Sequence, residues 1–151
     1  MKLVIQRVSR ASVTIDGKVN GSIDRGAVVL CGVAQGDTDF DAVWLAKKTS
    51  ALRHFEDADG KMNLAIDAVG GAFLVVSQFT LYGECEKGNR PSFIAAAPPE
   101  RGNQLYELYV SELRKLGHRV ETGIFGAMMK VEIINDGPVT LILESRGRTT
   151  P

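Results

Sequence analysis

Hydroxyl and amide side chains appear abruptly at the end of the most apolar stretch of this sequence. Residues 72–76 form an unbroken apolar run, which is typical of a strand buried on both faces. The next four residues are polar or aromatic: Ser77, Gln78, Phe79 and Thr80. An unpaired buried polar group costs about 1–3 kcal/mol, so these side chains either bond to the protein or meet a ligand. The segment therefore predicts a site at the polar end of a buried strand.

An ordinary structural role for the same residues stays open. Ser77 and Thr80 would then bond to neighbouring backbone, and Gln78 would be partly exposed. No Gly-x-Ser-x-Gly motif surrounds Ser77, and neither His54 nor His118 has a sequence context that links it to this segment. A Ser/His or Thr/His nucleophile is thus weakly supported. An enzyme built on these residues would act by positioning and by backbone hydrogen bonds.

Metal and cofactor chemistry has little support in the sequence. Cys31 and Cys85 lie far apart, and no cluster of His, Cys and acidic residues has metal-binding spacing. Residues 57–60, Asp-Ala-Asp-Gly, resemble the start of a calcium loop, but the downstream acidic ligands are absent, so they predict a turn. We therefore expect neither a metal nor a cofactor.

A second segment of chemical interest is Asn135-Asp136-Gly137-Pro138. Its composition favours a hairpin turn. An X-Pro bond is also the only peptide bond for which the cis form costs little, about 0.5–1 kcal/mol. A cis Gly137-Pro138 bond would aim two successive carbonyls in nearly the same direction, where they could bind an ammonium group. The residues alone leave both interpretations open.

Strands and two helices are expected to position these segments. Strands are predicted over residues 2–15, 19–23, 27–33, 129–133 and 139–144, and Asp16-Gly17 predicts the first hairpin turn. One helix begins near Thr38 and buries Ala42, Leu45, Ala46, Thr49 and Leu52. The other begins at Pro98-Pro99 and ends before Gly117. The absence of a strict βαβ alternation favours a mixed or antiparallel sheet that curls into a barrel-like core, with the two helices packed on it.

Size and composition indicate one compact α/β domain. The chain has 151 residues, of which 44% are apolar and 24% charged, as in ordinary soluble proteins. We expect the domain to cover residues 1–145 and residues 146–151 to form a flexible tail. No apolar run approaches the ~18 residues of a membrane span and no secretory leader pattern is present, so we expect a cytoplasmic protein. The formal net charge is zero, which argues against a grip on long nucleic acid and restricts any such contact to a few phosphates or a terminal nucleotide.

The two polar segments together resemble the motif pair of the D-aminoacyl-tRNA (D-tyrosyl-tRNA) deacylase family. The pair is Ser77-Gln78-Phe79-Thr80-Leu81 and Asn135-Asp136-Gly137-Pro138-Val139-Thr140. Three further segments are similar to that family: Gln6-Arg7-Val8 with Ala11-Ser12-Val13, Arg90-Pro91-Ser92-Phe93, and residues 122–129. The similarity runs in continuous order from the first residues to about Leu143. Either motif alone is a weak pattern, but both in this order are specific.

The resemblance implies an activity and an assembly. It implies hydrolysis of the ester that joins a D-amino acid to the terminal adenosine of tRNA, as a step of translation quality control. It also implies a homodimer with a barrel-like fold, in which the Gly-Pro loop of each subunit completes the site of its partner. The implied partners are thus an aminoacyl-tRNA and a second copy of the chain.

The same resemblance implies a role for each candidate residue. The catalytic residues would be Ser77, Gln78 and Thr80. The substrate-binding residues would be Arg7, Phe79, Phe125, Met129, Gly137 and Pro138. Within that group Arg7 would hold the Gly-Pro loop, whose carbonyls would contact the α-amino group of the substrate. Phe125 and Met129 would lie beside the adenosine.

Selection by main-chain carbonyls would explain a preference for D-residues. Such a site need not touch the side chain of a D-amino acid, whereas an L-residue would drive its side chain into the Gly-Pro wall. Glycine has no side chain to clash, so we expect some activity on glycyl-tRNA. The sequence leaves open whether Thr80 attacks, orients water or is assisted by a ribose hydroxyl, and which D-amino acids or tRNAs are preferred. Two alternative functions also stay open: a non-enzymatic RNA- or nucleotide-binding dimer, and a hydrolase of other esters or amides with Thr80 as nucleophile.

Overall fold

The computed structural model describes residues 1–145 of the chain. In chain order its elements are β1 (Lys2–Ile15), β2 (Lys18–Ile23), β3 (Gly26–Gly32), α1 (Asp39–Ala51), β4 (Phe55–Glu56), β5 (Met62–Leu64), β6 (Ala72–Ser77), α2 (Pro99–Lys115), β7 (Val120–Thr122) and β8 (Lys130–Glu144). Two short 3-10 helices, Ile66–Val69 and Phe79–Tyr82, flank β6. The predicted flexible tail, residues 146–151, lies outside the described residues.

A six-stranded mixed sheet forms the centre of the molecule. Its path runs β2-β1-β3-β6-β7, and β8 also pairs with β1. The pairs that include β1 are antiparallel, whereas β3–β6 and β6–β7 are parallel. The two ends of the path approach each other, because the Asn20 side-chain amide on β2 donates to the Thr122 carbonyl of β7 at 2.7 Å. The sheet is therefore nearly closed, which confirms the predicted α/β class with a barrel-like core.

Hydrophobic clusters cover both faces of this sheet. One cluster joins α1 and α2 to the outer face and includes Leu45, Leu105 and Tyr109. The other fills the inner face and includes Val8, Val13, Val28 and Leu74. Because successive strand residues point to opposite faces, residues 73 and 75 of β6 join the outer cluster and residues 74 and 76 the inner one. The unbroken apolar run of β6 is explained by this burial on both faces.

Both helices begin and end close to the predicted positions. Thr38 is the N-cap of α1, and the Asp41 carboxylate accepts a hydrogen bond of 2.7 Å from its backbone amide. The buried face of α1 consists of Ala42, Leu45, Ala46 and Thr49, as predicted, whereas Leu52, also predicted there, is a half-buried residue just beyond the end of the helix. Helix α2 begins at Pro99, and Gly117 adopts φ +92° just after its end. The Tyr109 hydroxyl donates to Thr49 Oγ1 at 3.0 Å and joins the two helices inside the core.

The polar residues that follow the apolar run of β6 leave the sheet. The strand stops at Ser77, and residues 79–82 form a 3-10 turn. The Leu81 amide donates to the Gln78 carbonyl at 3.2 Å, and the Gly83 amide donates to the Thr80 carbonyl at 2.9 Å. Local backbone bonds thus replace the sheet ladder where the apolar run ends, so the polar side chains no longer alternate across a sheet.

The hairpin interpretation of residues 135–138 is wrong. Strand β8 continues through this segment and pairs with β1 on both sides of it, with Asn135 opposite Val8 and Thr140 opposite Gln6. Residues 136–139 therefore bulge from the ladder opposite a single β1 residue, Arg7. The turn-forming composition produces an outward loop within one long strand, because both flanking segments have a ready partner in β1.

Candidate active site

The Ser77–Thr80 segment opens to the surface at the carboxyl end of β6. The Gln78 backbone amide donates to the Cys31 carbonyl at 2.8 Å, which fixes the start of the turn against β3. The turn then returns Thr80 toward Gln78, so that Gln78 Nε2 donates to Thr80 Oγ1. Ser77 and Gln78 are half-buried, whereas Phe79 and Thr80 are exposed. The structure thus places the hydroxyl and amide groups together on one accessible ledge.

No histidine within residues 1–145 is positioned to activate a hydroxyl on this ledge. The ring of His118 bonds to Ser50 Oγ at 2.5 Å, and the ring of His54 bonds to the Leu52 carbonyl at 3.0 Å. Burial lowers the pKa of both histidines, so both are neutral at physiological pH. The Thr80 hydroxyl accepts a hydrogen bond from the side-chain amide of Gln78 and has no histidine partner within residues 1–145. The arrangement suits positioning of a reactant better than nucleophilic attack by Thr80.

Arg7 is the buried charge of the second candidate segment. Its side chain is 7% exposed and lies in the gap of the β1–β8 ladder. Nε donates to the Asp136 carbonyl at 3.1 Å, and Nη1 donates to the His54 carbonyl at 3.1 Å. Nη2 lies 3.7 Å from a Glu56 carboxylate oxygen. One guanidinium thus joins the bulge of β8 to the segment that leads into β4.

The bulge that carries Gly137 and Pro138 is closed by side chains at its base. Asn135 Nδ2 donates to Thr140 Oγ1 at 3.1 Å, and Asn135 Oδ1 accepts from the Val139 amide at 3.3 Å. The Gly137–Pro138 peptide is cis, and both residues are exposed. Gly137 has φ +125°, and a Cβ atom there would lie 2.9 Å from Arg7 Nη2. Glycine is therefore required by the backbone and by the close approach of the guanidinium.

The two candidate segments lie beside opposite ends of β3 within one chain. Arg7 is opposite Ala27 of β3, and Ser77 is opposite Cys31 of the same strand. The offset of four residues along β3 corresponds to about 13 Å, and the two strand spacings across the sheet add about 10 Å. Combined at right angles, these two offsets place the Cα atoms of Arg7 and Ser77 about 16 Å apart along the sheet. Within residues 1–145 no hydrogen bond, ion pair or ring contact connects the two segments.

Phe125 and Met129 lie on the loop that follows β7. Thr122 is opposite Val75, so this loop leaves the sheet at the same end as Ser77. Phe125 is half-buried and lines a cavity of about 500 Å³ along α2. Met129 packs on the inner hydrophobic cluster. The structure therefore brings the Phe125 loop to the Ser77 end of the sheet and away from the Gly-Pro bulge.

Several residues at these segments carry roles that sequence reasoning missed. Sequence position suggests that His54 closes a helix, yet α1 ends at Ala51 and His54 is buried beyond it, with its carbonyl on Arg7. No sequence pattern marks Glu56 as part of the site, because its contact with Arg7 joins strands that are remote in sequence. Phe93 belongs to the family-like segment Arg90-Pro91-Ser92-Phe93, which predicts no role for it. In the structure its ring contacts that of Phe79 at a centroid distance of 5.1 Å. In residues 1–145 no group of three or more His, Cys, Asp or Glu is placed to hold a metal ion.

Comparison with known proteins gives a consistent family. Residues 4–144 match the family described as D-Tyr-tRNA(Tyr) deacylase. A protein of Anaeromyxobacter dehalogenans named D-aminoacyl-tRNA deacylase is 61% identical over 146 residues, which cover 97% of this chain and 98% of the relative. A protein of Koribacter versatilis with the same name is 58% identical, with the same coverage.

Solved structures share the fold. One described as "c-Myc DNA Unwinding Element Binding Protein" has a TM-score of 0.89 and 43% identity, and the match covers 96% of this chain and 99% of that one. Another, described as a probable eukaryotic D-amino acid tRNA deacylase, has a TM-score of 0.76 at 16% identity and covers 94% of this chain and 97% of its own. The second similarity concerns the fold alone.

Proposed function

The chain belongs to the D-aminoacyl-tRNA deacylase family, and we propose that it hydrolyses the ester bond of D-aminoacyl-tRNA to release the free D-amino acid and the tRNA. The observation that carries this proposal is the family match over residues 4–144, which includes both polar segments. The enzyme is thus a hydrolase, and tRNA binding and a cytoplasmic location in translation quality control are part of the proposal. No helix within residues 1–145 is long and apolar enough to cross a membrane.

The ledge at the end of β6 is proposed to hold the ester. Water attacks the ester carbonyl, the bond to the ribose oxygen breaks, and the ribose hydroxyl leaves with a proton. Ser77, Gln78 and Thr80 would orient the water and the carbonyl, with Phe79 as part of the wall. An aminoacyl ester is reactive, so positioning and hydrogen bonding can supply the acceleration without a strong side-chain base. Phe125 and Met129, on the loop at the same end of the sheet, are proposed to flank the terminal adenosine.

The bulge with Gly137 and Pro138 is proposed to select the D-configuration. Its main-chain carbonyls would accept hydrogen bonds from the substrate ammonium, and Arg7 would hold the bulge in place from behind. An L-residue bound through the same ammonium and ester would direct its side chain into the bulge and be rejected by the clash. Glycyl-tRNA lacks that clash and is proposed as a slow substrate.

A homodimer would unite the two functions. The ~16 Å between Arg7 and Ser77 leaves the bulge of one chain too far from its own ledge to contact the same amino acid. The outer edge of β8 has no strand partner within residues 1–145, and Ile142 on this strand is 67% exposed. A 15-residue edge strand of this kind favours association with a second copy. We therefore propose that the bulge of each subunit completes the ledge of its partner.

Release of amino acid from D-Tyr-tRNA and L-Tyr-tRNA tests the proposed function. We expect rapid loss of the D-ester and retention of the L-ester, with glycyl-tRNA in between. Equal turnover of both enantiomers would refute chiral selection, and turnover of unrelated esters instead would favour a general hydrolase.

Nucleic-acid binding without hydrolysis is the alternative that one observation favours. The structure with 43% identity is described as a DNA-element binding protein. If this chain had such a role, both esters would survive in the release assay, while a separate binding measurement would show a complex with the nucleic acid.

A further inference from the structure

A short hairpin lies beside the Ser77–Thr80 ledge and has no role in the proposed hydrolysis. Glu84 and Ser92 close it with two backbone hydrogen bonds, of 2.8 and 2.9 Å. Residues 84–91 are all exposed. We refer to residues 84–92 as the rim hairpin.

The rim hairpin is fixed relative to the ledge. A Cβ atom on Gly83, just before it, would lie 3.1 Å from the Thr80 carbonyl and 3.0 Å from the Phe93 ring. Beyond it, the Gln35 side chain donates to the Ile94 carbonyl at 2.6 Å, and the Gln35 backbone amide donates to the Ala95 carbonyl at 3.0 Å. The Gly83 amide also donates to the Thr80 carbonyl at 2.9 Å, so backbone bonds anchor the chain on both sides of the rim hairpin next to the candidate active site.

Two cations on the rim hairpin have no partner within residues 1–145. Many other arginines and lysines of that range are engaged, such as Arg10 with Glu132 and Arg101 with Asp39. Neither the Lys87 nor the Arg90 side chain makes a hydrogen bond, ion pair or ring contact there. Both side chains are exposed and available for an external anion.

Acidic residues of the rim hairpin limit this positive charge. The Glu84 carboxylate accepts hydrogen bonds from the backbone amides of Glu86 and Lys87, which holds it in the turn. Within residues 1–145 the carboxylate of Glu86 has no such bond and opposes the two cations. The two carboxylates and the two cations of the rim hairpin sum to zero charge. Attraction for an anion therefore depends on where Lys87 and Arg90 lie, and Glu86 should weaken that attraction.

Apolar surface lies next to these cations. Phe93 is 39% exposed and Ile94 80% exposed. A groove of about 480 Å³ runs along the base of the rim hairpin and is lined by Gln35, Glu84, Ser92, Ile94 and Ala95. Proteins that hold single-stranded nucleic acid combine these two features, cations for the phosphates and an aromatic face for a base.

We propose that the rim hairpin binds the single-stranded nucleotides that precede the terminal adenosine of the tRNA. Arg90 and Lys87 contact their phosphates, and the exposed face of Phe93 contacts a base. The proposal rests on the proposed function, since the rim hairpin borders the ledge at which the ester would be held, and an RNA strand that leaves the ledge on this side would pass over it. The chain has a formal net charge of zero, so attraction for the substrate has to come from a few local cations of this kind.

Two substrates separate strand binding from chemistry. D-Tyr-tRNA carries the phosphates, whereas D-tyrosyl-adenosine carries the same ester without any. We expect Lys87→Gln with Arg90→Gln to raise KM for D-Tyr-tRNA about 5–25-fold, on the order of two exposed ion pairs, with kcat unchanged. The slope of log kcat/KM against log salt concentration should become shallower by about one for each phosphate that the variant no longer binds. Kinetics with D-tyrosyl-adenosine should not change.

Matched variants provide controls of both signs. Glu86→Gln removes the opposing charge and should lower KM for D-Tyr-tRNA. Lys47→Gln with Lys48→Gln removes two exposed cations from α1 and should have no effect. Circular dichroism verifies that each variant is folded.

Three outcomes have separate meanings. A wild-type KM for D-Tyr-tRNA in the Lys87/Arg90 variant would overturn the proposal. An equal loss on both substrates would also overturn it, because the rim hairpin would then support the ledge rather than the RNA. Failure of the wild-type protein to cleave either ester would refute the proposed function itself, and this proposal with it.

Discussion

Replacing Gly137 by alanine tests whether the shape of the bulge controls activity. Gly137 has φ +125°, a conformation that costs an L-residue about 1–3 kcal/mol. The added Cβ would lie 2.9 Å from both Arg7 Nη2 and Val139 Cγ2, and 3.1 Å from the Val139 amide nitrogen. Arg7 cannot retreat easily, because it is buried and donates to two carbonyls. The methyl group would therefore disturb activity through the guanidinium that supports the bulge.

The size of the effect follows from where the strain can relax. The bulge is exposed, whereas Arg7 is buried, so the bulge should move by about 1 Å and keep the fold intact. A misplacement of that size costs about 10²-fold in rate. We therefore expect Gly137→Ala to slow D-Tyr-tRNA deacylation about 10²-fold. Unfolding should occur only a few degrees lower, at about 2–4 °C for each kcal/mol by which stability falls.

The matched control is Gly17→Ala in the β1–β2 turn. Gly17 has φ +76°, and a Cβ atom there would meet nothing within 4 Å, so this variant carries the backbone cost without the clash. The assay compares initial rates on D-Tyr-tRNA and L-Tyr-tRNA, with thermal unfolding by circular dichroism. A folded Gly137→Ala protein with the wild-type rate and D/L ratio would refute the argument. Equal losses in both variants would attribute the effect to stability alone.

Two further substitutions probe the ledge and the support of the bulge. Thr80→Ala should retain deacylation at about 10⁻² of the wild-type rate, the scale of a positioning group, because no histidine within residues 1–145 activates Thr80. Complete inactivity of the folded variant, together with an acyl-enzyme trapped on wild-type Thr80, would instead establish covalent catalysis. Glu56→Gln should lower kcat/KM about 2–5-fold, as expected for a 3.7 Å ion pair with an exposed partner, and should cause no further loss in an Arg7→Ala background. Equal effects in both backgrounds would show that Glu56 does not act through Arg7.

Local sequence signals predicted the elements that depend on local rules. The unbroken apolar run of residues 72–76 indicated a strand buried on both faces, and the structure has it between two hydrophobic clusters. Thr38 and Gly117 marked helix boundaries through capping preferences that act within a few residues. The curled mixed sheet followed from the count and spacing of strands without βαβ alternation.

Contacts between distant segments could not be predicted in this way. The bond from Arg7 to the Asp136 carbonyl spans 129 residues, and its geometry depends on a register shift in the β1–β8 ladder. Asn-Asp-Gly-Pro composition indicates a reversal of the chain but does not reveal that β1 pairs with both flanks. Likewise, Glu56 has no local pattern that would connect it to Arg7. Register and side-chain networks decide these features, and a single sequence carries little record of either.

Separation of the ledge and the bulge leads to a prediction about two impaired variants. If the bulge of one subunit completes the ledge of its partner, a heterodimer of Thr80→Ala and Gly137→Ala chains has one doubly altered site and one site with both residues intact. Random pairing gives one half heterodimers, so about one quarter of all sites are intact. Coexpressed and purified as a mixed dimer population, the two variants should recover about 25% of wild-type activity, against about 1% for each alone.

A site formed within one chain would behave differently. Every site would then carry one of the two substitutions, and the mixture would show only the average of the two parents. Differently tagged chains, purified through both tags in succession, isolate the heterodimer and raise the expected recovery to about one half. Recovery absent from this isolated species would refute the cross-subunit site, and the ~16 Å between Arg7 and Ser77 would then need a rearrangement within the chain. Recovery would mean that each complete site takes its ester-binding ledge from one subunit and its enantiomer-selecting bulge from the other.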